Sequence, residues 1–220
     1  TVAIKCMLAA QNTEVNRVRF LREAKAAARI RHPNVVQIFD FGDGPTHPPY
    51  MVMEYLQGPT LADEMRRKEV LEPSRALHVF GALCAAVEAG HRRGVVHRDL
   101  KPGNIILAVG DDRRETVKVL DFGLARFSDS TSLALTQPGA LLGTCAYMAP
   151  EQIEGINGGP EADVWALAVI LYEMVIGKLP FEGKTNIATM MRIAEGKFIP
   201  PRDVSSDLPD AIVEAIESGL

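Results

Sequence analysis

The chain contains few cysteines, and none is placed for a disulfide framework or a metal site. Cys6, Cys84 and Cys145 are odd in number, far apart and outside any CxxC pair. Disulfide scaffolds and structural zinc sites need closely spaced or paired cysteines, so both classes are disfavoured. We therefore expect a reducing compartment and predict a cytoplasmic location.

The sequence also lacks a long uninterrupted apolar run and a strong excess of one charge. The most apolar long segment, 162–177, is short for a membrane span and contains Asp163 and Glu173, so it predicts a helix buried in a protein core. Lysine and arginine total 24 against 28 aspartates and glutamates. This mild acidic excess argues against a broad surface for nucleic acid or an anionic membrane, and neither is expected as a partner.

The chain does have enough apolar sequence for a substantial core. It has 220 residues, of which 47% are hydrophobic, which is the size of one large domain or two small lobes. It opens "TVAIKCML", without an initiator methionine or a basic segment before an apolar one. We expect it to be part of a longer protein, truncated at both ends.

Residues 1–56 have the pattern of a small β-rich lobe. A strand is predicted over 1–8 and a hairpin over 35–56, where two apolar runs are separated by a turn rich in glycine and proline. Between them, helical spacing continues up to His32-Pro33. The apolar residues with this helical spacing are Val15, Val18, Leu21, Ala24 and Ala28.

Residues 57–220 have mainly the spacing of helices. The predicted helices cover 73–93, 161–177, 185–195 and 209–218, and two short strands are predicted over 105–108 and 116–120. The expected fold class is α+β, with a small β-rich lobe joined to a larger helical lobe near residues 54–59.

The stretch "HRDLKPGN" places polar residues on a loop that is anchored at both ends. Asp99 lies between a helix predicted to end near Gly94 and a strand predicted to start at Ile105, so its carboxylate could be held still. Lys101 follows two residues later and Asn104 five. This spacing is typical of phosphoryl transfer, with an aspartate that accepts the hydroxyl proton, a lysine that neutralises charge and an asparagine that holds magnesium. The alternative is a solvated charged loop.

Two further carboxylates and a lysine extend this pattern. Asp121 ends an apolar strand in "VKVLDFGLAR" and, with Asn104, offers hard oxygen ligands for Mg²⁺; a turn-capping aspartate is the alternative. Lys5 lies in the strand "VAIK" and Glu23 on the helix that follows, so the two could pair and leave the ammonium facing an anionic ligand. A surface salt bridge of small value is the alternative.

Together, these motifs resemble the protein kinase family of the Ser/Thr type. "VAIK", Glu23, "MEYL", "HRDLKPGN", "DFG", "GTCAYMAPE" and "ADVWAL" appear in that family's order and span essentially the whole chain. Lys101 resembles the Ser/Thr class, and "YMAPEQ" with "GPTL" resembles its bacterial, eukaryotic-like branch. The resemblance implies a bilobal kinase fold and ATP-dependent transfer of a phosphoryl group to Ser or Thr hydroxyls of proteins.

The resemblance also implies a site for ATP with Mg²⁺ or Mn²⁺. Lys5, fixed by Glu23, would bind the α- and β-phosphates, while Asn104 and Asp121 would hold the metal. The residues implied around the adenine are the gatekeeper Met53, the backbone of Glu54 and Leu56, and Ala3 and Ile106 on the two faces of the ring.

Further positions are implied to support the site. Thr144 matches a threonine that bonds the catalytic Asp and Lys, and Asp163 matches a buried residue that braces the catalytic loop. A stacked regulatory column is matched by His97, Phe122, Ile38 and Ala27. The small Ala27 side chain would loosen the packing of that column.

Regulation is expected in the segment 127–142. Thr136 resembles the autophosphorylated position of the bacterial branch, and Thr131 is the second choice. A phosphate there would pair with an arginine cluster formed by Arg19, Arg98 and Arg126. A homodimer could carry out such autophosphorylation. The alternative is a hydroxyl-rich loop whose neighbouring arginines bind only carboxylates.

Two other functions stay open from the sequence. A pseudokinase or docking module would keep the fold without the chemistry, although the complete catalytic set favours an enzyme. A small-molecule phosphotransferase of similar fold also uses an Asp and an Asn, although Lys101 and the segment 144–151 favour a polypeptide substrate. The family's glycine-rich loop would precede Thr1, so we expect these 220 residues to bind Mg-ATP more weakly than a domain that has the loop, and by themselves they could be inactive.

Overall fold

The structure is a computed structural model that describes residues 1–8, 12–44, 47–110, 113–123, 145–156 and 158–220. A small antiparallel sheet and one helix form the first part of the chain, and helices dominate the remainder. This architecture confirms the predicted α+β class.

The regular elements follow the predicted order, with several short additions. The strands are β1 (Val2–Cys6), β2 (Ile38–Gly44), β3 (His47–Glu54), β4 (Ile105–Val109) and β5 (Glu115–Val119). The helices are α1 (Glu14–Ala27), α2 (Leu61–Lys68), α3 (Pro73–His91), α4 (Pro150–Ile153), α5 (Pro160–Ile176), α6 (Asn186–Glu195), α7 (Pro201–Val204) and α8 (Asp210–Glu217). Short 3-10 turns cover Pro102–Asn104 and Cys145–Tyr147.

The first three strands form one sheet in the order β1-β3-β2. Its antiparallel register places Ala3 opposite Met53. Side chains alternate along a strand, so Ala3 and Lys5 share one face of β1, while Val2 and Ile4 share the exposed face. The lysine and the alanine of "VAIK" are therefore presented on the same side.

Helix α1 packs on this sheet with Ala24 buried and with Leu21 and Ala28 against the core, but the other two residues noted for their helical spacing stay exposed. Its buried residues are Phe20, Ala24 and Ala27, whereas Val15 and Val18 are 60% and 58% exposed. Both stripes have helical spacing and share Ala24, so spacing alone does not choose between them. Burying the aromatic Phe20 removes more apolar area from water than burying a valine, which favours the observed face.

Helix α2 is absent from the sequence-based prediction because its residues are largely polar. It begins with a capping box, in which the Asp63 N–H donates to Thr60 Oγ1 and the Thr60 N–H donates to Asp63 Oδ2, each at 3.1 Å. A threonine followed three residues later by an acid is a sequence signal that could have located this helix.

Helix α5 is the buried centre of the helical part, as its apolar sequence predicts. Its residues 169–172 are almost inaccessible to solvent, because α3 and α8 pack against it. The helix ends at Gly177, where φ is 75° and a Cβ would lie 2.8 Å from the carbonyl oxygen of Glu69, so glycine suits this position. Among the described residues, no helix combines the length and apolarity that a bilayer crossing needs.

The β4–β5 hairpin connects the sheet to the helical part. The Val36 N–H donates to the Val119 carbonyl at 2.9 Å, and the Val119 N–H donates to the Asn34 carbonyl at 2.8 Å. On the other strand, the Leu107 N–H donates to the Pro59 carbonyl at 2.9 Å. The chain before β2 and the chain that follows β3 are thus hydrogen-bonded to the same hairpin. Residues 54–59, from the last residue of β3 onward, are called the hinge.

Candidate active site

The loop between α3 and β4 is held by a buried carboxylate on α5. Asp163 is fully buried, and its two oxygens accept the backbone N–H groups of His97 and Arg98, each at 2.8 Å. His91 Nε2 lies 2.7 Å from the same carboxylate. A buried carboxylate is tolerated when its oxygens are hydrogen-bonded in this way. The backbone beside Asp99 is therefore fixed by the helical core, as predicted.

Asp99, Lys101 and Asn104 lie together, as their spacing predicts. Lys101 Nζ lies 3.0 and 2.9 Å from the two carboxylate oxygens of Asp99. Asn104 Nδ2 donates to the Asp99 carbonyl at 2.8 Å and to its Oδ2 at 3.2 Å. The side chain of Asp99 is still 32% exposed, so this oriented carboxylate is accessible to a hydroxyl group from outside.

Asp121 is joined to this loop through the residue that precedes it. The Leu120 N–H donates to the Asn104 carbonyl at 2.9 Å, and His97 Nε2 lies 2.7 Å from the Leu120 carbonyl. Asp121 itself has a φ of 57°, a left-handed conformation that is uncommon outside glycine and persists where the surroundings enforce it. The strand end that carries Asp121 is thus fixed against Asn104.

Lys5 pairs with Asp121 and not with Glu23. Its Nζ lies 2.7 Å from Asp121 Oδ2, and no Lys5–Glu23 ion pair occurs between these two described residues. The predicted pair is therefore not formed. A lysine ammonium pairs with the carboxylate that the fold brings within reach, and the left-handed turn at Asp121 places that carboxylate at β1. Glu23 lies half-buried on α1.

The residues expected around an adenine ring come from three elements near the hinge. Ala3 lies on β1 opposite the buried Met53, the expected gatekeeper, and Ile106 lies on β4, bridged to the chain just after the hinge. Glu54 ends β3, and Leu56 follows it. Their role in binding adenine stays a prediction.

Two rings that belong to the expected regulatory column, those of His97 and Phe122, contact each other with their planes tilted by 59°. The centroids of His97 and Phe122 are 4.8 Å apart. A cavity of about 10 Å³ lies next to Phe122, and Ala27, Ile38 and Met53 are among the residues that line it. Space for about one water-sized probe beside the small Ala27 side chain agrees with the looser packing expected there.

Comparison with known proteins shows which family this chain belongs to. The family model described as protein kinase domain matches residues 1–217. The chain belongs to the protein kinase family. Over 212 residues it is 38% identical to the probable serine/threonine-protein kinase CE0033 of Corynebacterium efficiens, an alignment that covers 94% of this chain and 31% of the relative.

Other relatives of this kinase chain give the same result. Over 206 residues it is 36% identical to the serine/threonine-protein kinase PknB of Mycolicibacterium smegmatis and to PknB of Mycobacterium tuberculosis. Each alignment covers 90% of this chain and 32% of the relative. The chain thus spans about a third of the length of these relatives.

The donor atoms of the kinase site fit a magnesium ion. Asp121 supplies a carboxylate, and Asn104 directs its amide nitrogen to Asp99, which leaves its carbonyl oxygen as a ligand. Mg²⁺ prefers such hard oxygens and often takes only one or two protein ligands, the others coming from phosphate and water. No cluster of three or more metal-binding His, Cys, Asp or Glu residues occurs in the part of the chain that the structure describes, so this site would depend on phosphate oxygens.

Sequence reasoning missed a pair that adjoins the catalytic loop of this kinase. The Tyr147 hydroxyl donates to Glu173 Oε2 at 2.6 Å, and burial raises the pKa of both groups. Both residues line a cleft of about 500 Å³ together with Pro102 of the catalytic loop. An acid inside the apolar run "LYEMVIG" is the signal that could have identified Glu173.

Several predicted positions lie outside the described residues. They are Thr144, the phosphorylation sites Thr131 and Thr136, and Arg126. Of the other two arginines in the predicted cluster, Arg98 donates from Nε to the Gly158 carbonyl at 2.9 Å, and Arg19 is exposed on α1. The convergence of these arginines stays a prediction.

Proposed function

We propose that the chain is an ATP-dependent Ser/Thr protein kinase that transfers the γ-phosphoryl group of ATP to protein hydroxyls. The observation that carries this proposal is the placement of Asp99. Its carboxylate accepts hydrogen bonds from the side chains of Lys101 and Asn104. The Asn104 carbonyl in turn accepts the N–H of Leu120, the residue before Asp121. Phosphoryl transfer needs such a fixed carboxylate next to metal-binding oxygens, since its catalysis consists mainly of positioning and charge stabilisation.

Each residue of the group has a separate task in this reaction. Asp99 would accept the proton of the substrate hydroxyl as the hydroxyl oxygen attacks the γ-phosphorus and the bond from that phosphorus to the ADP leaving group breaks. Lys101, 2.9 Å from the Asp99 carboxylate, would neutralise negative charge on the phosphoryl group. Mg²⁺, held by Asn104 and Asp121, would stabilise charge on the phosphate oxygens when bound. Lys5 would bind the α- and β-phosphates.

The adenine ring would lie between the two lobes. The proposed lobes are residues 1–56 and 57–220, so the ring would contact Ala3 from one lobe and Ile106 from the other. The backbone of Glu54 and Leu56 would hydrogen-bond the edge of the adenine ring, and Met53 would lie at the back of the pocket. This placement is supported by the pairing of Ala3 with Met53 and by the contacts of β4 with residues 57–60.

The proposal also covers substrate class and regulation. The relatives are named serine/threonine-protein kinases, and Lys101 matches that class, which supports serine and threonine as acceptors. Phosphorylation of Thr136, or of Thr131, would activate the kinase, and a homodimer would allow one copy to phosphorylate another. The cytoplasm, which supplies ATP, is the proposed place of action.

Phosphate transfer from labelled ATP to a generic protein substrate tests the function. We expect phosphoserine and phosphothreonine as products, loss of activity on removal of Mg²⁺ by a chelator, and recovery with Mg²⁺ or Mn²⁺. Asp99→Asn keeps the shape but loses the proton acceptor, so the rate should fall about 10²- to 10⁴-fold while the fold is retained. Asp203→Asn, at an exposed aspartate of α7, is the matched control. A rate near the parent's for Asp99→Asn would contradict the assignment.

A further inference from the structure

A half-buried ion pair joins the hinge to the β4–β5 hairpin. Lys118 Nζ lies 2.7 Å from Glu54 Oε1, and the two side chains are only 15% and 23% exposed. Glu54 ends β3, whereas Lys118 lies 64 residues later on β5. Partial removal from water strengthens the attraction between two charges relative to a fully exposed pair, so this contact can restrain the backbone at Glu54.

The ion pair closes a ring of contacts around the start of β2. The same Glu54 oxygen accepts the Gln37 N–H at 2.7 Å, and the Glu54 N–H donates to the Gln37 carbonyl at 3.0 Å. Val36, which precedes Gln37, donates its N–H to Val119 on β5 at 2.9 Å. The ring therefore runs from β5 through residues 36–37 to Glu54 and returns to β5 through Lys118.

This ring adjoins the residue predicted to lie against the adenine. Lys118 is directly opposite Ile106 in the antiparallel β4–β5 ladder, and directly opposed residues project from the same face of such a ladder. The residue just after the hinge, Thr60, bridges to Ile106. Lys118 thus shares a face of the ladder with Ile106. It also contacts Glu54, whose backbone is predicted to hydrogen-bond the edge of the adenine.

We propose that Lys118 is a positioning residue for nucleotide binding, which fixes the hinge backbone against the hairpin through Glu54. This proposal rests on the proposed function, because it takes the hinge as the adenine site. A backbone that is already fixed loses less conformational entropy when a ligand binds, so breaking the pair weakens nucleotide affinity. The rate at saturating ATP is retained, because Lys118 forms no ion pair with Asp99 or Asp121 within the described residues.

Titration of adenosine and ATP into the whole chain tests the proposal. Lys118→Met keeps most of the side-chain length and removes the charge, so adenosine affinity should fall about threefold to fivefold, with a similar rise in KM for ATP and little change in kcat. Glu54→Gln should show the same loss, and the double variant should lose no more than either single variant, because one interaction is removed in all three. Lys118→Arg should restore most of the affinity.

A control and a second measurement separate positioning from general destabilisation. Lys197→Met, at an exposed lysine, should leave adenosine affinity unchanged. In the nucleotide-free chain, hydrogen exchange of the Glu54 amide should be faster in Lys118→Met than in the parent or in Lys197→Met, because the restraint on its bond to Gln37 is removed.

The possible outcomes distinguish this inference from the proposed function. Parent-like or tighter adenosine binding by Lys118→Met, or additive losses in the double variant, would overturn the positioning role. If the chain, extended to include a glycine-rich loop, binds adenosine but transfers no phosphate, the proposed function is overturned and the positioning role is left intact. A parent that binds no adenosine would overturn both.

Discussion

Two residues at the candidate active site hold backbone conformations that are costly for residues with a side chain. Arg98 and Asp121 have φ values of 65° and 57°. Such conformations persist only where surrounding contacts outweigh their cost. Here the Arg98 N–H donates to buried Asp163, and Asp121 pairs with Lys5. The strain therefore lies directly before Asp99 and at the proposed metal ligand, where it sets the direction of both carboxylates.

Asp163→Asn should reduce both stability and activity. Each carboxylate oxygen of Asp163 accepts one backbone N–H, from His97 or Arg98, and an amide can accept with only one of its two atoms. One buried N–H is then left without an acceptor, so the free energy of unfolding should fall by about 1–3 kcal/mol. Urea denaturation measures this loss, and the phosphate-transfer rate should fall with it because the loop that carries Asp99 is released.

The exposed Asp203 provides the comparison for this buried aspartate. Asp203→Asn should change the free energy of unfolding by less than about 0.5 kcal/mol, as expected for a surface substitution. Equal stabilities for the two variants would show that Asp163 does not brace the catalytic loop.

At single residues, the sequence predicted local contacts better than distant ones. Asp99, Lys101 and Asn104 are close in the chain, so their spacing was enough to bring them together. Lys5 was expected at Glu23 but pairs with Asp121, because the choice between two carboxylates depends on the turn at Asp121. The pair between Glu54 and Lys118 has no sequence signal, since its two charges meet only after the hinge and the hairpin have folded together.

Among the elements, the 3-10 turn at 145–147 is tied to α5 by a polar contact inside apolar surroundings. The Tyr147 hydroxyl donates to Glu173. Burial raises the pKa of Glu173 above its ordinary value of 4.5, and the hydrogen bond from Tyr147 partly opposes this rise. The folded chain therefore binds a proton at Glu173 more tightly than the unfolded chain does.

Glu173→Gln should gain stability relative to the parent as the pH rises from 4.5 to neutrality. Because the folded pKa is raised, the contribution of Glu173 is fully present below 4.5 and is lost as the pH rises through the folded pKa. The glutamine does not titrate and can still accept the Tyr147 hydroxyl. Urea denaturation at several pH values measures the difference between the variant and the parent.

Tyr147→Phe is the control for this pH dependence. It removes the hydrogen bond that lowers the pKa of Glu173, so its stability should fall more steeply with pH than that of the parent. A stability difference between Glu173→Gln and the parent that stays constant over the pH range would show that Glu173 has no raised pKa.

Whole elements were predictable where the apolar pattern was unambiguous. Helix α5 is apolar on all sides and could only be a core helix, and the β2–β3 hairpin was marked by its glycine and proline turn. Helix α1 was predicted, but its spacing did not show that Phe20 is buried while Val15 and Val18 are exposed, because tertiary packing decides between stripes of the same spacing. Helix α2 has only eight residues, most of them polar, and a capping box marks its start, which an apolar pattern does not show.

At the scale of the molecule, one apolar core extends through the sheet and the helices. It includes Phe20 and Met51 in the first part and Ile170 and Ile216 in the second. The chain as a whole carries a formal net charge of −4, so its surface does not generally attract an added phosphate. A phosphate on the segment 127–142 therefore needs a local basic site, and Arg19, Arg98 and Arg126 would have to provide it.

We expect Mg-ATP to drive phosphorylation of Thr136 and thereby raise the kinase rate. A phosphate with a charge of about −1.5 to −2 forms charge-assisted hydrogen bonds with arginines, which are worth about 1.5–3 kcal/mol each, so Thr136→Ala should lower the rate by about tenfold or more. Mass spectrometry after incubation locates the phosphate.

Ser132→Ala, in the same segment, should keep the parent's rate. Arg19→Ala should slow the parent but add nothing to Thr136→Ala, since both remove one contact. An absence of phosphate between residues 127 and 142, or a parent-like rate for Thr136→Ala, would refute this regulation while leaving the phosphoryl-transfer site unaffected.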